Sequence, residues 1–342
     1  MKHEDVISQL TREEKASLTS GLSFWQTKSI DRLGISPVTV SDGPHGLRKQ
    51  ESKGDHLGLR GSVPATSFPT AATLANSWDD QLLFDVGEAI ASEAVEQGVD
   101  VILGPGLNIK RNPLGGRNFE YFSEDPYLAG TLAAAFIRGA QSVGVGACPK
   151  HFAVNSQETR RMSVDEVVDE KALHEIYLEG FRIALDQGSP WMLMSSYNQV
   201  NGEYSHQNPY LISDVLRGQW GYDGVVVSDW GGNVDSAQAA AVGSNLEMPT
   251  SSGVGEARVL NAVENGELDE AVLDHRIDEF LTLVDRITQP RGPKQPLDMA
   301  RQHEIARSAA EESLVLLRNV DGALPLNTTE HVAVIGSFAD VP

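Results

Sequence analysis

The sequence has a single cysteine and no long apolar run, and these two absences exclude several classes of protein. Cys148 alone cannot form an internal disulfide framework, and it excludes most thiolate metal sites. No uninterrupted apolar stretch is long enough to span a bilayer. The N-terminal residues MKHEDVISQLTREEKASLTSG lack the apolar region and the small-residue cleavage pattern of a secretory signal. We therefore predict a cytoplasmic protein that does not bind membranes.

Positive charge is also scarce. The 27 Lys and Arg residues are outnumbered by 48 Asp and Glu residues, which gives a formal net charge of −21. Such a chain repels nucleic acid and anionic lipid, so a neutral substrate suits it better than a polyphosphate. The sequence has no HExxH motif, no Walker loop, no metal-binding cysteine set and no G-x-S-x-G elbow. We accordingly expect no cofactor and no metal.

The sequence does contain a series of short apolar runs that alternate with helix-period segments. Leu83, Val86 and Ile90 mark one helical segment, and the run DGVVVSDW is typical of a strand that is buried on both faces. This alternation indicates repeated βα units around a parallel sheet. At least six units fit into roughly 250 residues, and no Gly-rich dinucleotide fingerprint follows the first strand. The pattern therefore favours an α/β fold of the (β/α)8 TIM-barrel type over an open doubly wound sheet.

The composition changes near residue 290. The segment TQPRGPKQP carries three prolines in nine residues, which is typical of a linker. We predict a (β/α) barrel over residues 1–290, a linker and connecting helix over 291–330, and the first strand of a truncated α/β sandwich domain over 331–342. Because a single strand cannot form a sheet alone, we expect the chain's own C-terminal α/β domain, or a companion chain, to complete it.

Polar residues follow almost every apolar run. In parallel α/β proteins the carboxyl ends of the strands carry the chemistry, so these residues are expected at one rim. They are Asp42, Asn108, Lys150, His151, Ser195, Tyr197, Asn198, Asp229, Trp230 and Glu247. A single Asp after a strand is usually the cap of the next helix, but polar residues at so many strand ends indicate a site.

Asp229, directly after a buried strand, is the candidate nucleophile or charge stabiliser. We expect Lys150, Arg117 and Arg161 to hold its carboxylate ionised. Asp42, Lys150 and His151 can exchange hydrogen bonds with vicinal hydroxyl groups. Trp230 offers a flat face to a sugar ring. These residues indicate glycoside chemistry on a small neutral sugar.

Two other functions stay open on the residues alone. Lys150 could form a Schiff base as in an aldolase, although an acidic rim raises the pKa of a lysine instead of lowering it. A sugar-binding barrel without catalysis would use the same residues that contact hydroxyl groups.

Six segments in a fixed order carry a family resemblance. They are VSDGPHGLR, GRNFEYFSEDPYLAG, KHFAVNSQETRR, MSSYNQVNG, GYDGVVVSDWGG and LEMP. Together they resemble the N-terminal barrel of family 3 glycoside hydrolases of the β-glucosidase type. The similarity also covers ALHEIYLEGF, LRGQWGYDG and ARSAAEESLVLLRN, and so extends over essentially the whole chain.

The resemblance implies a role for nine positions. Asp229 in SDW matches the nucleophile that forms a covalent glycosyl-enzyme with retention of configuration. Tyr197 in SSYN matches a residue that supports this nucleophile. The residues that would bind the sugar hydroxyls are Asp42, Arg117, Lys150, His151 and Arg161. Met194 and Trp230 would form the wall of the pocket.

The same resemblance implies a substrate and a missing group. The residues after His151 lack the KHFPGHG segment and the Asp-His dyad of the N-acetylglucosaminidase branch, so we expect an exo-acting β-glucosidase, with β-xyloside or another family 3 specificity as the alternative. The family places the general acid, a Glu, in the following α/β sandwich domain. We therefore expect this chain to be weak or inactive alone. Glu247 is the alternative acid, although a structural partner for a basic residue is the favoured interpretation.

Overall fold

The computed structural model describes residues 1–50, 61–292, 296–327, 329 and 331–337. Its α-helices are α1 Glu4–Ile7, α2 Arg12–Ser17, α3 Ala71–Leu74, α4 Asp80–Glu96, α5 Pro126–Ser142, α6 Glu170–Ala172, α7 Glu179–Gly188, α8 Ser236–Val242, α9 Val254–Glu264, α10 Glu270–Ile287 and α11 Met299–Glu312. Two π-helical segments are Leu173–Leu178 and Tyr210–Gln219. The strands are β1 Val40–Asp42, β2 Val101–Leu103, β3 Gly146–Ala147, β4 Asp165–Glu166, β5 Met192–Met194, β6 Gln199–Val200, β7 Glu203–Tyr204 and β8 Val225–Val227.

Polar side chains begin the helices because they accept hydrogen bonds from the free N–H groups of the first turn. Asp79 caps α4, Asp125 caps α5 and Asp269 caps α10. At the start of α2, Thr11 and Glu14 form a capping box, which this pair of residue types three positions apart favours. Local sequence therefore fixes where these helices begin.

The central strands pair in parallel. β1, β2 and β3 form one sheet in that order, and β5 pairs with β8. Isolated bridges extend these pairings: Phe152–Ser195, Val227–Leu246 and Ser20–Glu247 in parallel, and Gln26–Thr39 in antiparallel. The chain is thus an α/β protein with parallel sheets, as the alternating pattern predicts.

Both faces of the central strands are buried. Val225, Val226 and Val227 have no exposed surface. Val225 and Val227 belong to one apolar cluster together with Met192 and Met194, whereas Val226 belongs to a second cluster that includes residues of α4, α5 and α7. This two-sided burial is the reason for the continuous apolar run. Because residues 225–227 are buried on both faces, the polar residues of this segment follow the end of the strand, after residue 227.

Helices α4 and α5 pack closely at two glycines. A Cβ atom at Gly139 would lie 2.0 Å from the carbonyl oxygen of Phe84, and one at Gly87 would lie 2.3 Å from that of Phe136. The backbones of the two helices are in direct contact at these glycines. Any side chain there would force the helices apart.

Helix α11 returns along the outside of α4. The side chain of Gln302 is buried and donates a 2.8 Å hydrogen bond to the carbonyl oxygen of Ala89, and α11 also contacts α3. No helix within the described ranges is long and apolar enough to cross a membrane.

The sequence predicts a strand over residues 331–342, but residues 331–337 form none. Val334 and Ile335 are 76% and 90% exposed. A strand needs a neighbouring strand to pair with, and the described chain provides none beside this segment. Residues 338–342 lie outside the described residues. The division of the chain at 290 and 330 therefore stays a prediction.

Candidate active site

The carboxyl ends of the central strands surround a cavity of about 200 Å³. β1 ends at Asp42, β5 ends at Met194, and Asp229 follows β8 by two positions. All nine residues that the sequence predicts for the site line this cavity: Asp42, Arg117, Lys150, His151, Arg161, Met194, Tyr197, Asp229 and Trp230. Parallel pairing explains the convergence, because it brings the carboxyl ends of distant strands to one edge.

Asp229 is buried in the wall of the cavity, with 8% of its surface exposed. Its Oδ1 accepts a 2.8 Å hydrogen bond from the backbone N–H of Trp230. Its Oδ2 has no hydrogen-bond partner among the described residues and lies 3.6 Å from His151 Nε2 and 4.0 Å from Arg117 Nη1. Asp235, not Asp229, caps the next helix, so the helix-cap interpretation of Asp229 is wrong. A carboxylate oxygen held in this way can act as a nucleophile.

The pKa of Asp229 is raised above its ordinary value. Burial raises it, and the charges of Arg117 and Lys150 lower it only in part. The cations therefore offset the desolvation of the carboxylate only in part, and the expectation that they hold Asp229 ionised stays a prediction.

Arg117 connects the two strand ends that carry Asp229 and His151. Its Nη2 lies 2.8 Å from His151 Nε2, and its Nε donates to the carboxylate of Glu120. Burial, together with the charges of Arg117 and Lys150, holds the pKa of His151 well below its ordinary value. The imidazole is therefore neutral in this site, and within the Arg117–His151 pair the arginine carries the charge.

Lys150 and Asp42 form a short ion pair that also lines the cavity. Lys150 Nζ donates to Asp42 Oδ1 at 2.8 Å and lies 4.0 Å from Glu120 Oε2. Burial by itself would lower the pKa of Lys150, but the two carboxylates outweigh it and raise this pKa. Burial likewise opposes ionisation of Asp42, yet Lys150 lowers the pKa of that carboxyl. Both groups are charged, which suits them to bind hydroxyl groups.

Tyr197 and Arg161 form a further side of the cavity. The guanidinium of Arg161 lies 4.8 Å from the centroid of the Tyr197 ring, and Arg161 Nη1 donates to Glu158 Oε2 at 3.1 Å. The Tyr197 hydroxyl donates to the carbonyl oxygen of Trp230 at 3.0 Å. Tyr197 therefore holds the residue that directly follows Asp229.

An aromatic wall, made of Phe24, Trp25 and Trp230, faces these charged groups. The ring centroids of Trp25 and Trp230 are 5.5 Å apart, and those of Phe24 and Trp25 are 4.7 Å apart. Trp25 Nε1 donates to Gln50 Oε1 and Trp230 Nε1 donates to the carbonyl oxygen of Phe24, each at 2.8 Å. Since protein atoms accept from both indole N–H groups, this wall offers apolar ring faces to the cavity. The cavity therefore combines charged groups with apolar ring faces.

Sequence reasoning missed five residues that line the cavity: Phe24, Trp25, Arg48, Gln50 and Leu103. The two aromatic residues lie before β1, in a turn closed by a bridge between Gly21 and Thr27, and not at a strand end. The signal that could have found them is the adjacent pair of aromatic residues in an otherwise polar segment.

Three polar residues of the predicted rim have structural roles instead. Asn108 Nδ2 donates to the carbonyl oxygen of His151 at 2.8 Å. Ser195 Oγ lies 2.9 Å from Nδ1 of the buried His206. Asn198 Nδ2 donates to backbone carbonyl groups. These side chains hold the strand ends in position and do not line the cavity.

Glu247 also lies away from the cavity. Its Oε2 accepts hydrogen bonds from Ser236 Oγ at 3.0 Å and from Asn233 Nδ2 at 3.2 Å. The predicted basic partner is wrong, because both of these donors are neutral. Among the residues that the structure describes, no group of three His, Cys, Asp or Glu is arranged to hold a metal ion.

Comparison with known proteins identifies relatives along nearly the whole chain. The family model "Glycosyl hydrolase family 3 N terminal domain" matches residues 46–283. The thermostable beta-glucosidase B of Acetivibrio thermocellus is 49% identical over 98% of this chain and 45% of its own length. An exo-alpha-(1->6)-L-arabinopyranosidase of Bifidobacterium longum is 46% identical over 98% of this chain and 46% of its own length.

Solved structures agree with these relatives. Beta-glucosidase 3B from Thermotoga neapolitana, in complex with glucose, has a TM-score of 0.88 and 40% identity, over 96% of this chain and 48% of that one. The chain thus spans about half the length of the relatives that it matches.

Proposed function

The chain belongs to glycosyl hydrolase family 3, and from this membership we propose that it supplies the sugar-binding cavity and the nucleophile of a retaining β-glucosidase. The observation that carries the proposal is the oxygen Oδ2 of Asp229. It is buried beside Arg117 and His151 and has no hydrogen-bond partner in the described part of the chain. The names of the relatives support a β-glucoside as substrate.

In the proposed reaction, Asp229 Oδ2 attacks the anomeric carbon of the terminal sugar. The bond between this carbon and the leaving oxygen breaks, and an ester between sugar and Asp229 forms. Water then attacks the same carbon and releases the sugar with retained configuration. The cavity of about 200 Å³ is smaller than the pockets of drug-sized ligands, which supports binding of one terminal sugar ring and hence exo action.

The leaving oxygen needs a proton from a second carboxyl, about 5 to 5.5 Å from the nucleophile in retaining enzymes. Asp42 lines the cavity too, but Lys150 lowers its pKa and keeps it ionised. We propose that a Glu of a C-terminal α/β sandwich domain is the acid. We further propose a (β/α)8-type barrel over residues 1–290, which is supported by backbone pairings that lead from β1 through β8 to residue 20 and back to Thr39.

Covalent trapping tests the nucleophile. The probe is 2,4-dinitrophenyl 2-deoxy-2-fluoro-β-D-glucopyranoside, whose leaving group departs unprotonated, so the chain needs no acid to react. We expect one fluoroglucosyl group on the peptide that contains Asp229 and none in Asp229→Asn. The matched control is Asp223→Asn, which changes an exposed carboxylate of the same segment and should be labelled like the parent chain. A label on another residue, or none at all, would refute the proposal.

Cellobiose hydrolysis tests the missing acid. We expect residues 1–342 to hydrolyse cellobiose far more slowly than the same chain extended through a C-terminal α/β domain. Equal rates would mean that the acid lies within this chain, and Asp42, the second carboxyl that lines the cavity, would then be the first residue to replace.

A second candidate substrate is an α-L-arabinopyranoside, since one relative at 46% identity is named for this activity. Arabinopyranosides, like β-xylosides, lack the exocyclic hydroxymethyl group of a hexose. The kcat/KM values for the 4-nitrophenyl β-D-glucoside, β-D-xyloside and α-L-arabinopyranoside separate these substrates. We expect the highest kcat/KM for the glucoside. A higher kcat/KM for either pentoside would contradict the β-glucosidase proposal.

The aldolase and the non-catalytic alternatives have less support. A Schiff base needs a neutral amine, whereas the carboxylates around Lys150 raise its pKa. A sugar-binding barrel without catalysis does not need an unpaired carboxylate oxygen in its cavity, and the trapping experiment separates it from an enzyme.

A further inference from the structure

The guanidinium of Arg117 is fixed at two of its three nitrogens. Its Nε donates to Glu120 Oε1, and its Nη2 donates to Nε2 of the neutral His151 at 2.8 Å. Because a guanidinium is planar and rigid, these two contacts determine where the third nitrogen, Nη1, lies. Nη1 is 4.0 Å from Asp229 Oδ2, a distance at which the two charges attract each other but do not form a hydrogen bond.

Glu120 is the carboxylate that holds Arg117 in this position. Its side chain is 8% exposed and does not line the cavity, and its Oε2 lies 4.0 Å from Lys150 Nζ. The other carboxylate near Arg117 Nε is that of Glu158, whose Oε1 is 4.0 Å away and accepts from Asn155 at 3.1 Å. Among the described residues, only Glu120 therefore binds this guanidinium through a hydrogen bond between opposite charges.

We propose that Glu120 is a positioning residue that holds Arg117 away from Asp229 and so leaves Asp229 Oδ2 without a hydrogen bond from a cation. Oδ2 has no hydrogen-bond partner in the described part of the chain. A movement of Nη1 by only about 1 Å would give it one. Such a charge-assisted bond stabilises the carboxylate and weakens it as a nucleophile.

This inference rests on the proposed function, because the free oxygen matters for the reaction only if Asp229 attacks the sugar. The pKa of Asp229 can be measured without any substrate. The two ideas can therefore fail separately.

The other titratable groups of the cavity do not obscure this measurement. Although burial opposes it, Lys150 lowers the pKa of Asp42. Burial holds the pKa of His151 well below its ordinary value and raises that of Tyr197. The cations of the cavity, which stay charged at acidic pH, are Arg48, Arg117, Lys150 and Arg161. Asp229, whose pKa is raised by burial, therefore titrates at a higher pH than Asp42.

The first experiment measures the pKa of Asp229 by NMR. Residues 1–342 are labelled with aspartate that carries ¹³C in the side-chain carboxyl group, and the signal of Asp229 is the one absent from Asp229→Asn. We expect this pKa to be about one pH unit lower in Glu120→Gln than in the parent chain, because Arg117 then pairs with Asp229. The control, Glu124→Gln, changes an exposed carboxylate of the same loop and should leave the pKa of Asp229 unchanged.

The second experiment measures the rate of covalent trapping with the fluoroglucoside as a function of pH. We expect Glu120→Gln to react about tenfold to a hundredfold more slowly than the parent chain at its plateau, as a new hydrogen bond to a charged group implies. The pH below which the rate falls should also be lower, because Asp229 then ionises more easily. A site that is merely loosened would react slowly without this change in pH dependence. Glu124→Gln should match the parent chain in both respects.

A second variant is measured if Glu120→Gln does not fold. Glu120→Asp keeps the negative charge but shortens the side chain by one methylene, which weakens its hold on Arg117. We expect a smaller decrease in the pKa of Asp229, in the same direction.

Two results would overturn the inference. One is a pKa of Asp229 that stays the same or rises in the Glu120 variant that folds. The other is a trapping rate equal to that of the parent chain in this variant. A parent chain that takes no label refutes the proposed function instead, and the NMR result still decides the role of Glu120.

Discussion

Two aspartates at strand ends, Asp42 and Asp229, have opposite electrostatic environments. Lys150 stabilises the charge of Asp42 and lowers its pKa, whereas burial destabilises the charge of Asp229 and raises its pKa. A raised folded-state pKa means that the unfolded chain holds the charge at lower free energy. The ionised Asp229 therefore opposes folding at neutral pH, and the ionised Asp42 supports it.

We predict that Asp229→Asn raises the melting temperature at pH 7, because it removes a buried charge and keeps the shape of the side chain. The increase in melting temperature should become smaller as the pH falls toward the ordinary pKa of aspartate. At low pH Asp229 is protonated and neutral in both the folded and the unfolded state. Differential scanning calorimetry at several pH values measures this trend. A loss of stability at pH 7 would show that Asp229 is better stabilised than its burial implies.

Asp42→Asn should lower the free energy of unfolding, in contrast to Asp229→Asn. It replaces the carboxylate beside the Lys150 ammonium, which is 5% exposed, with a neutral amide and leaves only Glu120 Oε2, at 4.0 Å, as a charged partner, so weakening this charge-assisted hydrogen bond should cost about 1 kcal/mol or more. The contribution of Asp42 is present above its unfolded pKa and is lost as the pH falls through its lowered folded pKa. Urea unfolding at neutral pH provides the measurement, with exposed Asp223→Asn as the control. Equal stability of Asp42→Asn and the control would contradict the pairing.

The charged residues of the cavity could be predicted from the sequence, whereas Phe24 and Trp25 of the aromatic wall could not. Asp42, Lys150 and Asp229 directly follow apolar runs, and parallel pairing places such residues together whatever loops join them. Phe24 and Trp25 lie in a turn before β1, and no periodic pattern of apolar residues predicts where a turn places its side chains.

At the scale of helices and strands, the contact between α4 and α5 is the most sensitive feature. We predict that Gly139→Ala destabilises the fold by about 1–3 kcal/mol or more, because its Cβ would lie 2.0 Å from the carbonyl oxygen of Phe84 and the helices must move apart. Gly116→Ala is the control, since the nearest atom to its added Cβ is an ordinary 3.5 Å away. Chemical unfolding of both variants tests this. Equal stability would mean that the helices separate at no cost.

Some elements were predictable and others were not. The capping box at α2 and the buried strand β8 follow from local sequence, and both are present. The small sheet of β4, β6 and β7 was not predicted, because each of its strands has two residues and shows no alternation of apolar and polar side chains. The π-helical segments likewise depend on packing and have no sequence period of their own.

At the scale of the whole molecule, apolar side chains are exposed after α11. Leu314, Leu317 and Ile335 are 79%, 91% and 90% exposed. We predict that residues 1–342 self-associate as the concentration rises, since exposed apolar side chains of this kind gain free energy by mutual burial. Sedimentation velocity should show this, and the double variant Leu314→Ser/Leu317→Ser should reduce it. A chain that stays monomeric at high concentration would contradict the prediction.

Helix α11 also determines where the following residues begin. It contacts the middle of α4, where Gln302 donates to the carbonyl oxygen of Ala89, and it also contacts α3. With 14 residues, α11 is about 21 Å long. One inserted residue would rotate everything beyond it by about 100° and advance it by about 1.5 Å, whereas seven would nearly restore its direction and add about 10 Å. The length of this single helix thus sets both the direction and the position from which the residues after 312 continue.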